Sequence, residues 1–244
     1  MGYVSSYCHY RRASPELEPE DSCRYPALAC GVRIDPLHSS REPTIANNHW
    51  TVKDAEKLYN MGGWGLGFFR VNPEGHVTVH PDANPRRGLD LYRLAMDLNA
   101  QGVGLPLLLR FSDILRARIQ TLATQFNSAI KEFGYEGTYP TVYPVKVNQQ
   151  RHVVQEIVEF GTPFGVGLEC GSKAELQAVL GLTEQSNHII VCNGYKDEEY
   201  MRLALMGQRL GHQAFIVLEQ LTELDTLLKV AEEMNVTPTV GVRI

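Results

Sequence analysis

The chain has 244 residues, 43% of them apolar and 21% charged, with a formal net charge of −5; it is long enough to bury a real core as one large α/β domain or one and a half smaller ones. Acids and bases are interspersed, which argues against nucleic acid as the main partner, and no run of about 18 apolar residues is present to span a membrane. The first residues lack the apolar core of a secretory signal, so the expected compartment is the cytoplasm.

Five cysteines, Cys8, Cys23, Cys30, Cys170 and Cys192, form no C-x-x-C pair. Free thiols are expected, with neither a zinc site nor a disulfide framework, and no residue set is assigned to a metal. Residues 1–48 are rich in Ser, Pro, Arg and Glu, show neither period 2 nor period 3.6, and are interrupted by Pro15, Pro19, Pro26, Pro36 and Pro43. They read as a poorly ordered tail, and Cys8, His9 and His38 have no spacing that supports a metal.

Order is expected from about Trp50. Residues 51–60 read as a helix with Thr51 and Asp54 in capping-box positions. The glycines between Gly62 and Gly67 fail the G-x-G-x-x-G spacing of a phosphate loop and read as a turn and strand entry. Residues 67–71 and 76–80 flank Asn72-Pro73-Glu74-Gly75 and predict a β-hairpin. His76 and His80 fall on one face of it, as surface residues without a third ligand. A helix over 89–100 and a short strand over 107–109 complete a segment of residues 49–111.

From Ser112 the pattern becomes regular. Ile114, Leu115, Ile119, Leu122, Phe126, Ile130 and Phe133 fall at helical spacing on a long helix capped by Ser112. Strand-like runs follow at 141–148, 164–169, 188–193, 214–219 and 237–244, their starts about 24 residues apart. Helices over 153–160, 173–180, 198–210 and 223–234 fill the gaps, with capping boxes at Ser172/Glu175 and Thr222/Asp225. Continuous apolar strands without a wet face suit a covered parallel sheet. No glycine fingerprint follows the first strand, and Lys146, Asn148, Glu169, Asn193, Glu219 and Arg243 mark successive carboxyl ends, where a β/α barrel gathers its active site. The predicted fold over residues 112–244 is therefore an incomplete (β/α)8 barrel of the TIM type with about five strands.

Tyr143-Pro144-Val145-Lys146-Val147-Asn148 places one lysine in an apolar, β-prone run. Desolvation lowers the pKa of an ammonium, and the neutral amine is the form that condenses with an aldehyde. The alternative is a strand-end lysine whose stem covers apolar surface while its head reaches water.

The YPVKVNQ run at 143–149, Gly167-Leu168-Glu169-Cys170-Gly171-Ser172-Lys173-Ala174-Glu175-Leu176, and Ile189 to Asp197 together resemble the biosynthetic arginine decarboxylases, within the wider fold of alanine racemase and ornithine decarboxylase. The likeness extends upstream through Trp50 to Pro81 and Leu105 to Gln120. It implies a pyridoxal 5′-phosphate enzyme that converts L-arginine to agmatine and carbon dioxide in polyamine biosynthesis, with Lys146 as the Schiff-base lysine. By the same resemblance Glu169 is the acid beside it, and Glu175, Asn193 and Arg243 line the cofactor pocket. The capping box alone also accounts for Glu175, a turn-capping role for Asn193, and a plain strand position for Arg243. The resemblance further implies a homo-oligomer, dimer or tetramer, and admits Mg2+ as an accessory ion with no residue assigned to it. The family's phosphate loop, ring-stacking histidine and partner-contributed β domain have no counterpart before Ile244, so the chain reads as an N-terminal fragment, inactive alone. An ornithine or diaminopimelate decarboxylase, a racemase, or a non-catalytic relative that binds the cofactor or a partner chain remain the other readings of the same pattern.

Overall fold

The computed structural model describes residues 49–183 and 187–244; the expected tail over 1–48, with Cys8, Cys23, Cys30, His9 and His38, lies outside the described residues. The chain divides into two compact units, one comprising the described residues to Val79 and Leu89–Leu109, the other His80–Gly88 and Arg110–Ile244.

In the smaller unit, α1 (Val52–Leu58) starts at a complete capping box: the Thr51 hydroxyl accepts the Asp54 amide, and the Asp54 carboxylate accepts the Thr51 amide at 2.9 Å. A single helical turn, α2 (Met61–Trp64), stands where a turn and strand entry were expected, its Trp64 indole N–H donating to the Tyr59 carbonyl at 2.9 Å. β1 (Phe69–Val71) pairs antiparallel with β2 (Val77–Val79), and β3 (Leu89–Asp90) adds a third strand. α3 (Leu91–Ala100) therefore starts two residues late, capped by Asp90, which accepts the Arg93 amide at 3.0 Å. The strand expected over 107–109 does not form. An apolar triplet becomes a strand only beside a neighbour that takes its amides, and among the described residues these have none.

The larger unit opens with α4 (Ser112–Glu132). Ser112 does not cap it: its hydroxyl donates to Glu156 Oε1 at 2.6 Å instead. Then β4 (Val142–Pro144), α5 (Arg151–Gly161), β5 (Gly167–Cys170), α6 (Lys173–Leu182), β6 (Ile189–Cys192), α7 (Glu198–Arg209), β7 (Gln213–Leu218), α8 (Leu221–Met234) and β8 (Thr239–Val242) alternate. The five strands pair parallel in the order β4-β5-β6-β7-β8. A doubly wound open sheet reverses its strand order at a switch point, and this one does not. It is a run of consecutive β/α units of a TIM-type barrel, five strands of it.

One face of this sheet is sealed by the helices. Leu168, Ile190 and Ile216 pack with Ile157, Leu176, Val179, Met201, Leu205, Leu227 and Val230 in one buried cluster. The opposite face is less covered. β7 alternates buried with half-buried residues, Val191 and Phe215 are half-buried, and Thr239 on the edge strand β8 is exposed. The apolar runs therefore do carry a more open face, and Glu169, Val191, Phe215 and Thr239 lie across it in register.

Candidate active site

β4 ends at Pro144, and the next three residues, Val145–Val147, wind into a 3-10 turn. Val145 is buried and pins the turn, which lifts Lys146 off the strand to the carboxyl end of the sheet. Of the two readings of Lys146, a desolvated amine and a strand-end lysine whose head reaches water, the exposure fits the second: the side chain is 61% exposed. Its Nζ lies 3.5 Å from Glu169 Oε1. Asn148 turns its own Oδ1 to the Gln150 amide at 3.1 Å, starting α5.

Glu169 projects from the middle of β5 and is 6% exposed. Oε1 accepts from Lys146 and, at 3.0 Å, from Asn193 Nδ2. Oε2 is buried and has no hydrogen-bond partner. An unsatisfied buried carboxylate oxygen costs free energy unless something else supplies a donor. An accessible amine beside a buried carboxylate with one unpartnered oxygen fits a site that holds a polar cofactor covalently.

Asn193 follows β6, its amide donating to the Cys170 carbonyl at 2.8 Å. The buried Tyr200 hydroxyl lies 3.0 Å from the Cys170 carbonyl and 3.1 Å from that of Asn193, tying the ends of β5 and β6 together. Gly194 then takes φ +78°, and a Cβ there would sit 2.2 Å from the Gly171 carbonyl, so only glycine fits. Burial pushes the Cys170 and Cys192 thiols up, Cys192 to about 12, which makes both inert packing residues.

Glu175 stands one turn from Glu169. The Ser172 hydroxyl accepts the Glu175 amide at 3.2 Å, but the Glu175 carboxylate does not close the capping box on Ser172; it accepts from the Gly171 amide at 2.7 Å and from Gln149 Nε2 at 2.9 Å. Gly171 lies between the two acids: a methyl group on its Cα would meet Glu175 Oε2 at 3.5 Å and Glu169 Oε1 at 3.9 Å. Arg243 follows β8, and its Nη1 reaches Glu219 Oε1 at 3.1 Å. The same oxygen accepts the Gly194 amide at 2.9 Å. That amide holds the Glu219 carboxyl below its usual range, with Arg243 assisting against partial burial.

Glu169 thus touches both Lys146 and Asn193, and Glu175 and Arg243 join through Gly171 and Glu219. Three residues escaped sequence reasoning: Tyr200, Lys196 and Glu223. The box expected at Thr222/Asp225 does not form, because α8 starts at Leu221 with both residues inside the helix. Its place is taken by Glu223, which accepts the Glu219 amide at 2.8 Å and the Lys196 amide at 2.9 Å. Burial pushes the Glu223 carboxyl up, but those two amides and the Lys196 ammonium outweigh it and hold the group below its ordinary range. The repeated glutamate two places after Lys173 and Leu221 was the available signal.

The smaller unit also corrects an expectation. His76 is half-buried, its Nδ1 2.8 Å from Asp90 Oδ2, and its ring lies 4.6 Å from that of Tyr92. Glu74, His76 and Asp90 bring ligand atoms within 4.8 Å of one another. Arg93 stands 3.7 Å from Asp90 and 3.8 Å from Glu74, which already supplies the cationic charge there. His80, in the other unit, is buried, with Nδ1 3.0 Å from the Asn84 carbonyl.

Consecutive parallel β/α units with polar groups gathered at their carboxyl ends define a barrel-type α/β protein, the rim being where such a fold places its sites. The family model for the pyridoxal-dependent decarboxylases, pyridoxal binding domain, matches residues 119–244, and the chain belongs to that family. It is 48% identical over 194 residues to the biosynthetic arginine decarboxylase of Gloeobacter violaceus, covering 80% of this chain and 30% of that protein. It is 41% identical over 240 residues to biosynthetic arginine decarboxylase 1 of Synechocystis, covering 95% and 34%. Among solved structures, the biosynthetic arginine decarboxylase of Campylobacter jejuni aligns with a TM-score of 0.68 at 32% identity over 75% of this chain and 30% of that one. The diaminopimelate decarboxylase of M. jannaschi shares the fold, with a TM-score of 0.52 at 20% identity over 73% and 36%. The chain thus spans about a third of the length of the curated relatives it matches. Among the described residues no helix is long and apolar enough to cross a membrane.

Proposed function

We propose that the protein carrying this chain removes the α-carboxylate of L-arginine, yielding agmatine and carbon dioxide, with pyridoxal 5′-phosphate held through Lys146. The observation that carries the reading is the accessible Lys146 amine 3.5 Å from a buried Glu169 whose second oxygen has no partner. The choice of arginine rests on the relatives at 41% and 48% identity, whose names specify that substrate. When bound, the pyridoxal ring supplies an electron sink for the pair left as the carboxylate departs.

The protein's own groups do the rest. Glu169 Oε1 holds the Lys146 amine in place whenever that amine is unengaged. Asn193 Nδ2 fixes the carboxylate plane. Glu175, through the Gly171 amide, stiffens the β5–α6 turn on which Glu169 depends. Arg243 spends one N–H on Glu219 and keeps its remaining donors for an anionic group, the use to which a guanidinium fork is suited.

The test is release of labelled carbon dioxide from carboxyl-labelled L-arginine by the whole protein, against ornithine and diaminopimelate as competitors. Lys146→Ala is expected to lower release by at least about a thousandfold, the usual scale for losing a covalent nucleophile. Release from ornithine or diaminopimelate in preference to arginine contradicts the substrate, and unimpaired release by Lys146→Ala contradicts the lysine's role.

A further inference from the structure

Behind the rim lies a buried charge pair that the proposed chemistry does not use. The Lys196 side chain is 0% exposed and that of Glu223 2%, with Nζ 3.3 Å from Oε2. Taking two charges out of water carries a desolvation penalty that their pairing only offsets, and an apolar pair of similar volume would serve stability as well. An apolar pair cannot, however, satisfy the backbone that converges here. Glu223 Oε1 accepts the Lys196 amide at 2.9 Å and Oε2 the Glu219 amide at 2.8 Å, while Lys196 Nζ donates to the Gly194 carbonyl. One glutamate thereby joins the turn after β6 to the turn after β7.

Those two turns carry the site. The first presents Asn193, 3.0 Å from Glu169, and the second presents Glu219, 3.1 Å from Arg243. The Gly194 amide, 2.9 Å from Glu219, links them directly. Polar contacts therefore lead from Lys146 through Glu169 to Asn193, the peptide bond carries the path to Gly194, and polar contacts continue through Glu219 to Arg243, with the buried pair backing the middle. We propose that Lys196 and Glu223 are positioning residues that clamp the β6 and β7 rims together, so that Asn193 and Arg243 face one ligand as a single rigid edge. The inference rests on the reading of this rim as a pyridoxal phosphate site.

Two measurements on Lys196→Met, Glu223→Gln and the double variant of the whole protein test it, with Val230→Ala as a core control of comparable stability loss. The first is hydrogen exchange of the Gly194, Lys196 and Glu219 amides without cofactor. Either single variant is expected to speed exchange at these three by about tenfold or more, the scale of one lost buried hydrogen bond, whereas the control leaves their rates relative to the other core amides unchanged. The second is the affinity for pyridoxal phosphate read from borohydride-fixed cofactor on Lys146. A weakening of about tenfold is expected in each single variant and no further weakening in the double, as for residues acting as a unit. Exchange rates that do not change, or affinities that fall equally in Val230→Ala, overturn the clamp. If the unsubstituted protein fixes no cofactor on Lys146, the functional reading falls by itself, and the exchange rates alone decide whether the pair holds the rim.

Discussion

Glu175 and Glu223 do the same job in two different strand-to-helix turns. Each is the third residue of its helix, and each reaches back past the cap to accept the amide just outside it, from Gly171 at 2.7 Å and from Glu219 at 2.8 Å. A carboxylate so placed also faces the positive end of its helix. Glu175→Ala leaves the Gly171 amide without its acceptor and is expected to cost about 1–2 kcal/mol, while Glu175→Gln, which keeps an acceptor oxygen, recovers most of it. Urea unfolding midpoints distinguish the two.

Gly194 and Gly181 make opposite predictions for the same substitution. Gly194→Ala forces a Cβ into the Gly171 carbonyl at a positive φ and is expected to destabilise by about 2 kcal/mol or more. Gly181, near the end of α6, has nothing within 4 Å of a Cβ. Gly181→Ala is expected to stabilise by about 0.5–1 kcal/mol. Thermal or urea unfolding of the pair checks both signs.

Tyr200 tests the tie between β5 and β6. Its hydroxyl is the buried donor shared by the Cys170 and Asn193 carbonyls, and Tyr200→Phe removes it without changing the ring. The expected cost is about 1–2 kcal/mol, read as a lower urea midpoint at unchanged m-value. No loss means that the two carbonyls are satisfied without it.

Acid should weaken this fold in two windows. His188 and His212, just before β6 and β7, have ring centroids 6.1 Å apart, and burial lowers both below the ordinary 6.5, with His188 adding to the effect on His212. Below about pH 6.5 the unfolded chain binds more protons than the folded one, so stability declines as pH falls from there. Glu219 and Glu223 sit below their ordinary 4.5; their contribution is complete above that value and is lost only as pH falls through their folded values. His212→Gln is expected to flatten the first decline and leave the second in place, as followed by urea midpoints across both windows.

Much of the fold is legible in the sequence because each β/α unit repeats the same grammar: an apolar run, a cap, an amphipathic helix. The strands centred on Leu168, Ile190 and Ile216 follow directly from it. What failed were statements about single side chains with two uses. Ser112 and Thr222 look like caps, yet Ser112 finds Glu156, 44 positions away, and Thr222 falls inside its helix. The apolar neighbours of Lys146 leave a desolvated and a water-reaching amine both open, and only Pro144 and the 3-10 turn, which lift it from the strand, decide between them. The Lys196–Glu223 pair spans 27 positions and two turns, a separation at which no local period speaks. Local pattern fixes which segments form; partners brought in by the sheet decide what each polar group does.

The most direct measurement is made on Lys146 itself. The Lys146 side chain is 61% exposed but its partner Glu169 is buried, so Lys146→Ala leaves a buried carboxylate without its cation, and its urea midpoint is measured alongside to establish it as a folded control. The whole protein is incubated with pyridoxal 5′-phosphate, reduced with borohydride and mapped by peptide mass. The result predicted is one pyridoxyl group per chain, on the peptide carrying Lys146, absent from Lys146→Ala. Label spread over the surface lysines, or label that persists in Lys146→Ala, contradicts the account.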